Sequence, residues 1–326
     1  MGKRIYGYFL FFTFLHRVYP QNYSLLNYFK IHHESWKCEM NLNCRVCNQK
    51  NTTSGFNSSL TYCSKCDLMS TSPIVTNDAY ETGNYAGYET SAVESSVIML
   101  NGIFARISML PFSRGKWLDF GCGKGHFLST LPKKYSKFGW ETSESRAIIA
   151  RNNNPNTMIV EEYFGEITEL DCEMMDVISL FHVLEHLEDP MLVVQLLEKH
   201  LAKDGKAVIE VPNINSLQAK IAKENWLHLD IPKHRTHWSH KALQNFFESH
   251  EFKIVKTSQI SFTEGVFGMA DALFFCKSKL RIYDRLKGAL LKKILMLPVL
   301  FLSAIIELVA CAARAGGVTR ILLTKK

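Results

Sequence analysis

Four groups of residues in this chain have types and spacings suited to chemistry. The first is Asp119-Phe120-Gly121-Cys122-Gly123-Lys124-Gly125. It lies between an apolar run that reads as a strand and a segment that reads as a helix. Glycines there let the backbone bend tightly and approach a ligand closely. Twenty positions after Gly121 stands Glu141, placed at the end of the next strand, where a carboxylate can bind both ribose hydroxyls of a nucleoside. A dinucleotide fold would show Gly-x-Gly-x-x-Gly with a helix dipole facing pyrophosphate. Here Asp119 precedes the glycines; it would repel pyrophosphate but could accept from an ammonium group.

The second group is His182-Val183-Leu184-Glu185-His186. Its spacing matches an inverted zinc-protease motif, but that motif needs a helix, and this one leaves a strand. Three readings stay open: the motif holds a divalent ion, although His182 at its first position weakens an oxygen-rich Mg²⁺ site; Glu185 and His186 cap the next helix and brace the ligand loop; or His182 or His186 acts as a general base. The third group runs from Trp226 to Ser239 and holds His234 and His237, candidates for deprotonating a hydroxyl. The alternative is that Ser239 caps a helix beginning near His240 while the histidines lock the loop. The fourth is Cys44-x-x-Cys47 and Cys63-x-x-Cys66, with fifteen residues between the pairs. That is the spacing of a four-cysteine zinc ribbon, and four thiolates leave no open position, so the expected role of the zinc is structural.

The elements that must position these groups alternate strand and helix from Lys116 onward. Strands are expected at 116–120, 137–140, 157–160, 176–181, 205–211 and 252–260. Helices are expected at 125–131, 145–151, 191–201 and 241–250. This alternation predicts a parallel sheet covered by helices on both faces. A further helix is expected over 93–110, after Tyr80, Tyr85 and Tyr88. Residues 294–313 form an apolar run with one acid, Glu307, and one proline, Pro298. Residues 318–324 read as a last strand, antiparallel beside the strand at 252–260.

With these segments in hand, the chain resembles a class I S-adenosylmethionine (SAM)-dependent methyltransferase, of the broad group similar to ubiquinone-biosynthesis enzymes. The resemblance rests on Leu118 to Gly125, Gly139 to Ser143 and Asp176 to Pro190, and covers about residues 80–326. It implies an α/β, Rossmann-like seven-stranded sheet that binds SAM. By this likeness Asp119, Gly121, Cys122 and Gly123 face the methionine part of SAM. Glu141, followed by Thr142, holds the ribose. Phe181 and His182 sit near the methyl donor. The stretch Glu161-Glu162-Tyr163-Phe164 departs from the usual single acid, which leaves the adenine contact open.

The expected organisation has five parts. Residues 1–39 are a poorly structured extension, or translation begins at Met40. Residues 40–70 are the zinc ribbon, and 71–112 a linker with a lid helix. Residues 113–265 and 314–326 form the methyltransferase domain, and 266–313 a basic, hydrophobic helical insertion before the last strand. In 326 residues the net charge is +7, yet residues 277–293 hold seven basic residues and one acid. A charge excess so concentrated does not suit a general nucleic-acid surface. It suits a basic flank that brings the apolar run to an anionic membrane surface; a cap over the cleft, a dimer interface and a true span are the alternatives. The cysteine pattern points to a reducing compartment, hence a cytoplasmic enzyme, peripheral at the cytoplasmic membrane face. The expected reaction is methylation of a small-molecule or lipid- or sugar-linked acceptor, on oxygen. The alternatives are an RNA methyltransferase that uses the ribbon, or a SAM-binding protein without catalysis.

Overall fold

The computed structural model describes residues 43–53, 59–72, 115–162, 174–286 and 290–326. The expectations for residues 1–39, the helix over 93–110 and its three tyrosines, and Tyr163-Phe164 lie outside the described residues.

Seven strands form the main sheet. They are β4 (Gly115–Phe120), β5 (Tyr135–Glu141), β6 (Met158–Glu161), β7 (Met175–Phe181), β8 (Leu201–Pro212), β10 (Phe252–Ser258) and β11 (Val318–Lys325). Their order across the sheet is β6-β5-β4-β7-β8-β11-β10. The pairs from β6 to β8 are parallel, and β11 runs antiparallel to both its neighbours. β4 and β7 are central strands covered on both faces, so Trp117, Leu118, Phe120, Ile178 and Leu180 are all buried. The last strand takes the place between β8 and β10, so it pairs with the expected neighbour and with one more.

After β4 the chain moves outward to β5 and β6, then returns to β7 on the other side of β4. The crevice at the carboxyl ends of β4 and β7 is thus the switch point where α/β sheets bind ligands. The glycine turn follows β4 and His182 follows β7, so the topology brings two of the four groups to one crevice. Helices α1 (His126–Thr130), α2 (Glu144–Asn153), α3 (Met191–His200), α4 (Leu217–Ala222) and α5 (His240–Glu248) alternate with the strands. Ser239 caps α5: its Oγ accepts the Ala242 N–H at 3.0 Å. Glu185 and His186 do not cap α3. They lie in a 3-10 turn, Leu184–His186, and Asp189 serves the start of α3 by accepting the Met191 N–H at 2.9 Å.

The cysteine module is a small antiparallel sheet of β1 (Thr52–Thr53), β2 (Leu60–Cys63) and β3 (Leu68–Thr71). Its fourth strand, β9 (Thr236–His237), comes from the loop between α4 and α5. Cys44, Cys63 and Leu68 pack in one hydrophobic cluster with Trp238, Phe246 and the main-sheet core. The module is therefore packed into the core of the main sheet.

The helical insertion begins earlier than residue 266. Phe262–Phe267 and Asp271–Phe275 are π-helical turns flanking α6 (Gly268–Ala270), followed by α7 (Ile282–Leu286) and α8 (Leu290–Ala312). The inward stripe of α8, Met296, Val299, Leu300 and Ala304, packs on Val266, Phe267 and Ile282. Ser303, Glu307 and Ala310 continue this buried face.

Candidate SAM-binding and active site

Three glycines of the turn take left-handed backbone angles: φ is +74° at Gly121, +56° at Gly123 and +72° at Gly125. L side chains rarely adopt this region. A Cβ at Gly121 would lie 2.5 Å from Val183, and one at Gly125 would lie 2.5 Å from Asn154, whereas at Gly123 nothing lies within 4 Å. Gly121 and Gly125 are thus glycines for packing, and Gly123 opens onto free space at the crevice. That is the cradle a ligand passing close to the backbone would need, and the residues fit SAM there.

Glu141 is buried at the end of β5. One carboxylate oxygen accepts the Gly123 N–H at 2.8 Å and the other accepts the Ser143 N–H at 2.9 Å. It therefore fixes the glycine turn, with Thr142 half-buried beside it. Asp119 sits beneath the turn, accepting the Ser179 hydroxyl at 2.6 Å; Ser179 in turn accepts the Trp117 indole N–H at 2.9 Å. Burial first, and then the neighbouring Asp119 and Glu141 carboxylates, push the Cys122 thiol far up, so it stays neutral.

Phe181 stacks edge-on against Phe127 at 4.8 Å between ring centres. His182 follows it with φ +57°, an uncommon angle for a residue with a Cβ, of the kind that clusters at functional sites. Its Nδ1 lies 3.2 Å from Glu185 Oε1 and its Nε2 lies 3.2 Å from Glu210 Oε1. Burial opposes a charge on this ring. The two carboxylates outweigh burial and push its pKa up to about 10. An imidazolium has no lone pair for a proton, so this environment does not suit the general-base role expected of His182. Glu210 itself is paired with the buried Arg320, directly opposite on β11. Glu264, from the first π-helical turn, joins the same cluster: its carboxylate accepts the Ser261 hydroxyl at 2.9 Å, and its charge acts on His182.

The other two expected catalytic histidines lie on the ribbon side. His237 Nε2 is 3.0 Å from the Thr71 Oγ of β3, and burial takes its pKa down to about 3. His234 is buried; its Nδ1 is 2.9 Å from the His228 carbonyl oxygen, and burial holds its pKa well below the usual value. Both rings brace the loop on the ribbon. His237 in particular faces β3 and not the glycine turn, because β9 has joined the small sheet. His234 stacks edge-on against His186 at 4.6 Å, which brings it beside the turn after β7.

At the ribbon, donor atoms of Cys44, Cys47, Cys63 and Cys66 all lie within 4.8 Å of one another. Burial, opposed by backbone hydrogen bonds, pushes the Cys44 thiol up to about 11. Four thiols this close cannot ionise together without a cation, and four sulfurs are the donor set that zinc prefers. The residues fit a structural zinc. Nearby, Glu188 pairs with Arg45 of the ribbon and lies 2.7 Å from Arg235 of the loop. Ser239 donates to Asp67 at 3.1 Å.

Sequence reasoning did not single out Glu210, Arg320, Ser179 or Glu264. A signal for the first two was present: Glu210 is the one charge in the run 207–212 and Arg320 the one charge in the run 318–323, of opposite sign, which asks for a buried partner.

A parallel sheet with one antiparallel insertion, a glycine turn after its first strand and an acid ending its second define a class I SAM-dependent methyltransferase fold. Residues 99–257 match the family model described as a methyltransferase domain. Among curated proteins, it is 32% identical over 106 residues to an uncharacterised 37.1 kDa protein in a transposon of Streptomyces fradiae, a match that covers 31% of each chain. It is 26% identical over 171 residues to an uncharacterised protein of Methanocaldococcus jannaschii, covering 52% of this chain and 80% of that one. Among solved structures, it is similar to a SAM-dependent methyltransferase from Archaeoglobus fulgidus, at 18% identity and a TM-score of 0.46, covering 70% of this chain and 94% of that one. It is also similar to a possible histamine N-methyltransferase from Thermotoga maritima, at 18% identity and a TM-score of 0.46, covering 71% and 91%.

Proposed function

We propose that this protein transfers the methyl group of SAM to a hydroxyl of a small or carrier-linked acceptor, in sugar, glycolipid or quinone-type biosynthesis. The observation that carries the donor half is Gly123, with open space at the crevice and its N–H bound to Glu141. Support for a polar, hydroxylated acceptor comes from the groups that converge at the end of β7. His182, Glu185, Glu210 and Glu264 act on one another there, and His228 lies 3.3 Å from the Glu264 carbonyl oxygen. Methyl transfer from a sulfonium needs mainly in-line placement, and such a cluster can orient an acceptor by hydrogen bonds. The cysteine module serves as a structural zinc ribbon that fixes the loop 230–238. Cytoplasmic chemistry follows, because the donor is a cytoplasmic metabolite.

A specific observation favours a lipid-linked acceptor. The helix α8 carries Leu295, Leu297, Phe301, Leu308 and Val309 exposed on its outer side. Its one acid, Glu307, points inward and accepts the Gly317 N–H at 2.7 Å. The segment 293–312 is long and apolar enough to cross a membrane by length and composition. However, five residues after α8 the chain is already β11, between β8 and β10. A helix that crossed would carry β11 away from its partners, so α8 is read as lying in the interface of an anionic bilayer.

The test incubates purified full chain with SAM and fractionated acceptors and follows S-adenosylhomocysteine and a mass gain of one methyl group. A methylated hydroxyl compound or glycolipid is expected. Turnover on RNA alone would contradict the acceptor class, and SAM binding without turnover on any fraction would favour a non-catalytic protein.

A further inference from the structure

Besides the four cysteines, one other group of side chains converges as metal ligands do among the described residues: Glu185, His186 and His234. One donor atom from each lies within 4.8 Å of the others. We propose that these three residues bind a divalent transition ion such as Zn²⁺, a second metal site beside the end of β7.

The argument rests on how each side chain is held. Glu185 is buried and gives one oxygen, Oε1, to His182 at 3.2 Å. Its other oxygen, Oε2, is buried with no hydrogen-bond partner. Leaving a buried carboxylate oxygen unsatisfied costs its desolvation free energy, and a cation is the partner that best removes that cost. His234 has its Nδ1 2.9 Å from the His228 carbonyl oxygen, and His186 has its Nδ1 3.2 Å from the Lys233 carbonyl oxygen. A backbone carbonyl on Nδ1 fixes the tautomer with the proton there. It orients Nε2 as the ligand, the outer-shell arrangement of most ligating histidines. Both carbonyls belong to the loop 226–238, so the loop sets both rings.

The ligands come from two places. Glu185 and His186 are on the 3-10 turn after β7, and His234 precedes β9, the strand shared with the ribbon. The adjacent pair in the turn becomes a three-ligand set only because β9 draws the loop onto β3. His182, the first residue of the sequence motif, has both ring nitrogens engaged, one by Glu185 and one by Glu210.

Two imidazoles and one carboxylate suit a borderline ion. An Mg²⁺ ion asks for six oxygens in an octahedron and would be poorly served. Bonds of about 2.0–2.1 Å would bring tetrahedral ligands to roughly 3.4 Å apart, so the side chains close by on the order of 1 Å on binding. Glu185 and His234 are buried and His186 is half-buried, so a fourth position lies on the His186 side. A ligand or acceptor oxygen there would meet a Lewis acid. The site does not depend on the acceptor class.

The test measures metal content of the full chain by mass spectrometry after equilibrium dialysis against Zn²⁺. Two ions per chain are expected. Cys63→Ser should remove one. His234→Ala should remove the other, or weaken it at least tenfold. Because His234→Ala also loosens a buried loop, Glu185→Gln provides a second variant of nearly equal shape. In both variants the Co²⁺-substituted protein should keep its thiolate charge-transfer bands, which report an intact ribbon, and SAM binding measured by calorimetry should persist. One ion per chain in the wild type would overturn the proposal, as would two ions that both survive Glu185→Gln and His234→Ala. Loss of SAM binding in the wild type would instead count against the methyltransferase reading and leave the metal count as a separate result.

Discussion

The three glycines of the turn separate by what surrounds them. Gly121→Ala must push its methyl into Val183, 2.5 Å away. It should lower unfolding stability by about 1–3 kcal/mol, as overpacking and a strained left-handed angle do. Gly123→Ala meets no neighbour, although its φ of +56° adds strain. Its methyl would project into the crevice, so the expected loss is in SAM affinity, tenfold or more by calorimetry, with a smaller fall in melting temperature. Equal SAM affinity in the wild type and Gly123→Ala would show that the ligand does not pass this position. This distinction was not legible in the sequence, which marks all three as glycine and does not say which faces a side chain and which faces open space. Glu141 was legible by its distance from the turn, whereas its hold on the Gly123 N–H was not.

Among the elements, α8 has two faces with different physics. Leu295, Phe301 and Val309 are 64%, 70% and 65% exposed, so replacing all three by serine removes little buried packing. The triple variant should keep its melting temperature within a few degrees but lose co-sedimentation with vesicles containing anionic lipid. Equal sedimentation of wild type and variant would remove the membrane reading of this helix. A dimer that the substitutions dissolve would assign the face to a second copy.

The inner face of α8 holds Glu307, whose pKa burial raises from 4.5 to about 7, with the Gly317 N–H opposing. A carboxyl whose folded pKa lies above its unfolded one stabilises fully below the unfolded value, here 4.5, and that contribution is lost as pH rises through about 7. The difference in unfolding free energy between wild type and Glu307→Gln should therefore change across pH 4.5–7. The glutamine variant should gain on the order of 1–3 kcal/mol relative to the wild type by about pH 8. A flat difference across that window would show that Glu307 titrates normally. The apolar length of the run was plain in the sequence, and so was its single acid. Which way that acid points depends on Gly317, ten residues away, and on how β11 enters the sheet, neither of which periodicity can supply.

For the whole molecule, the parallel sheet follows from the alternation of apolar strands and helices, and every strand of the main sheet lies within a few residues of its expected place, whereas the order of the strands was not legible. The merger of ribbon and catalytic domain did not follow. Two-residue strands such as β9 have no pattern to read, and their pairing to β3 is decided by tertiary contacts at Thr71, Arg235 and His237. That merger predicts coupling. Cys63→Ser, or removal of zinc by a chelator, should raise hydrogen exchange across residues 230–238 as well as in the ribbon. Exchange confined to residues 43–72 would show that the two parts are independent.

The central claim is that the turn after β4, with Glu141, binds SAM. The most direct measurement is calorimetric titration of the wild type, Gly123→Ala and Glu141→Ala with SAM, with NAD as a control ligand. One SAM per wild-type chain is predicted, with no NAD binding and at least a tenfold weaker SAM interaction in both variants. A wild-type chain that ignores SAM, or variants that bind it as tightly as the wild type, would contradict the account.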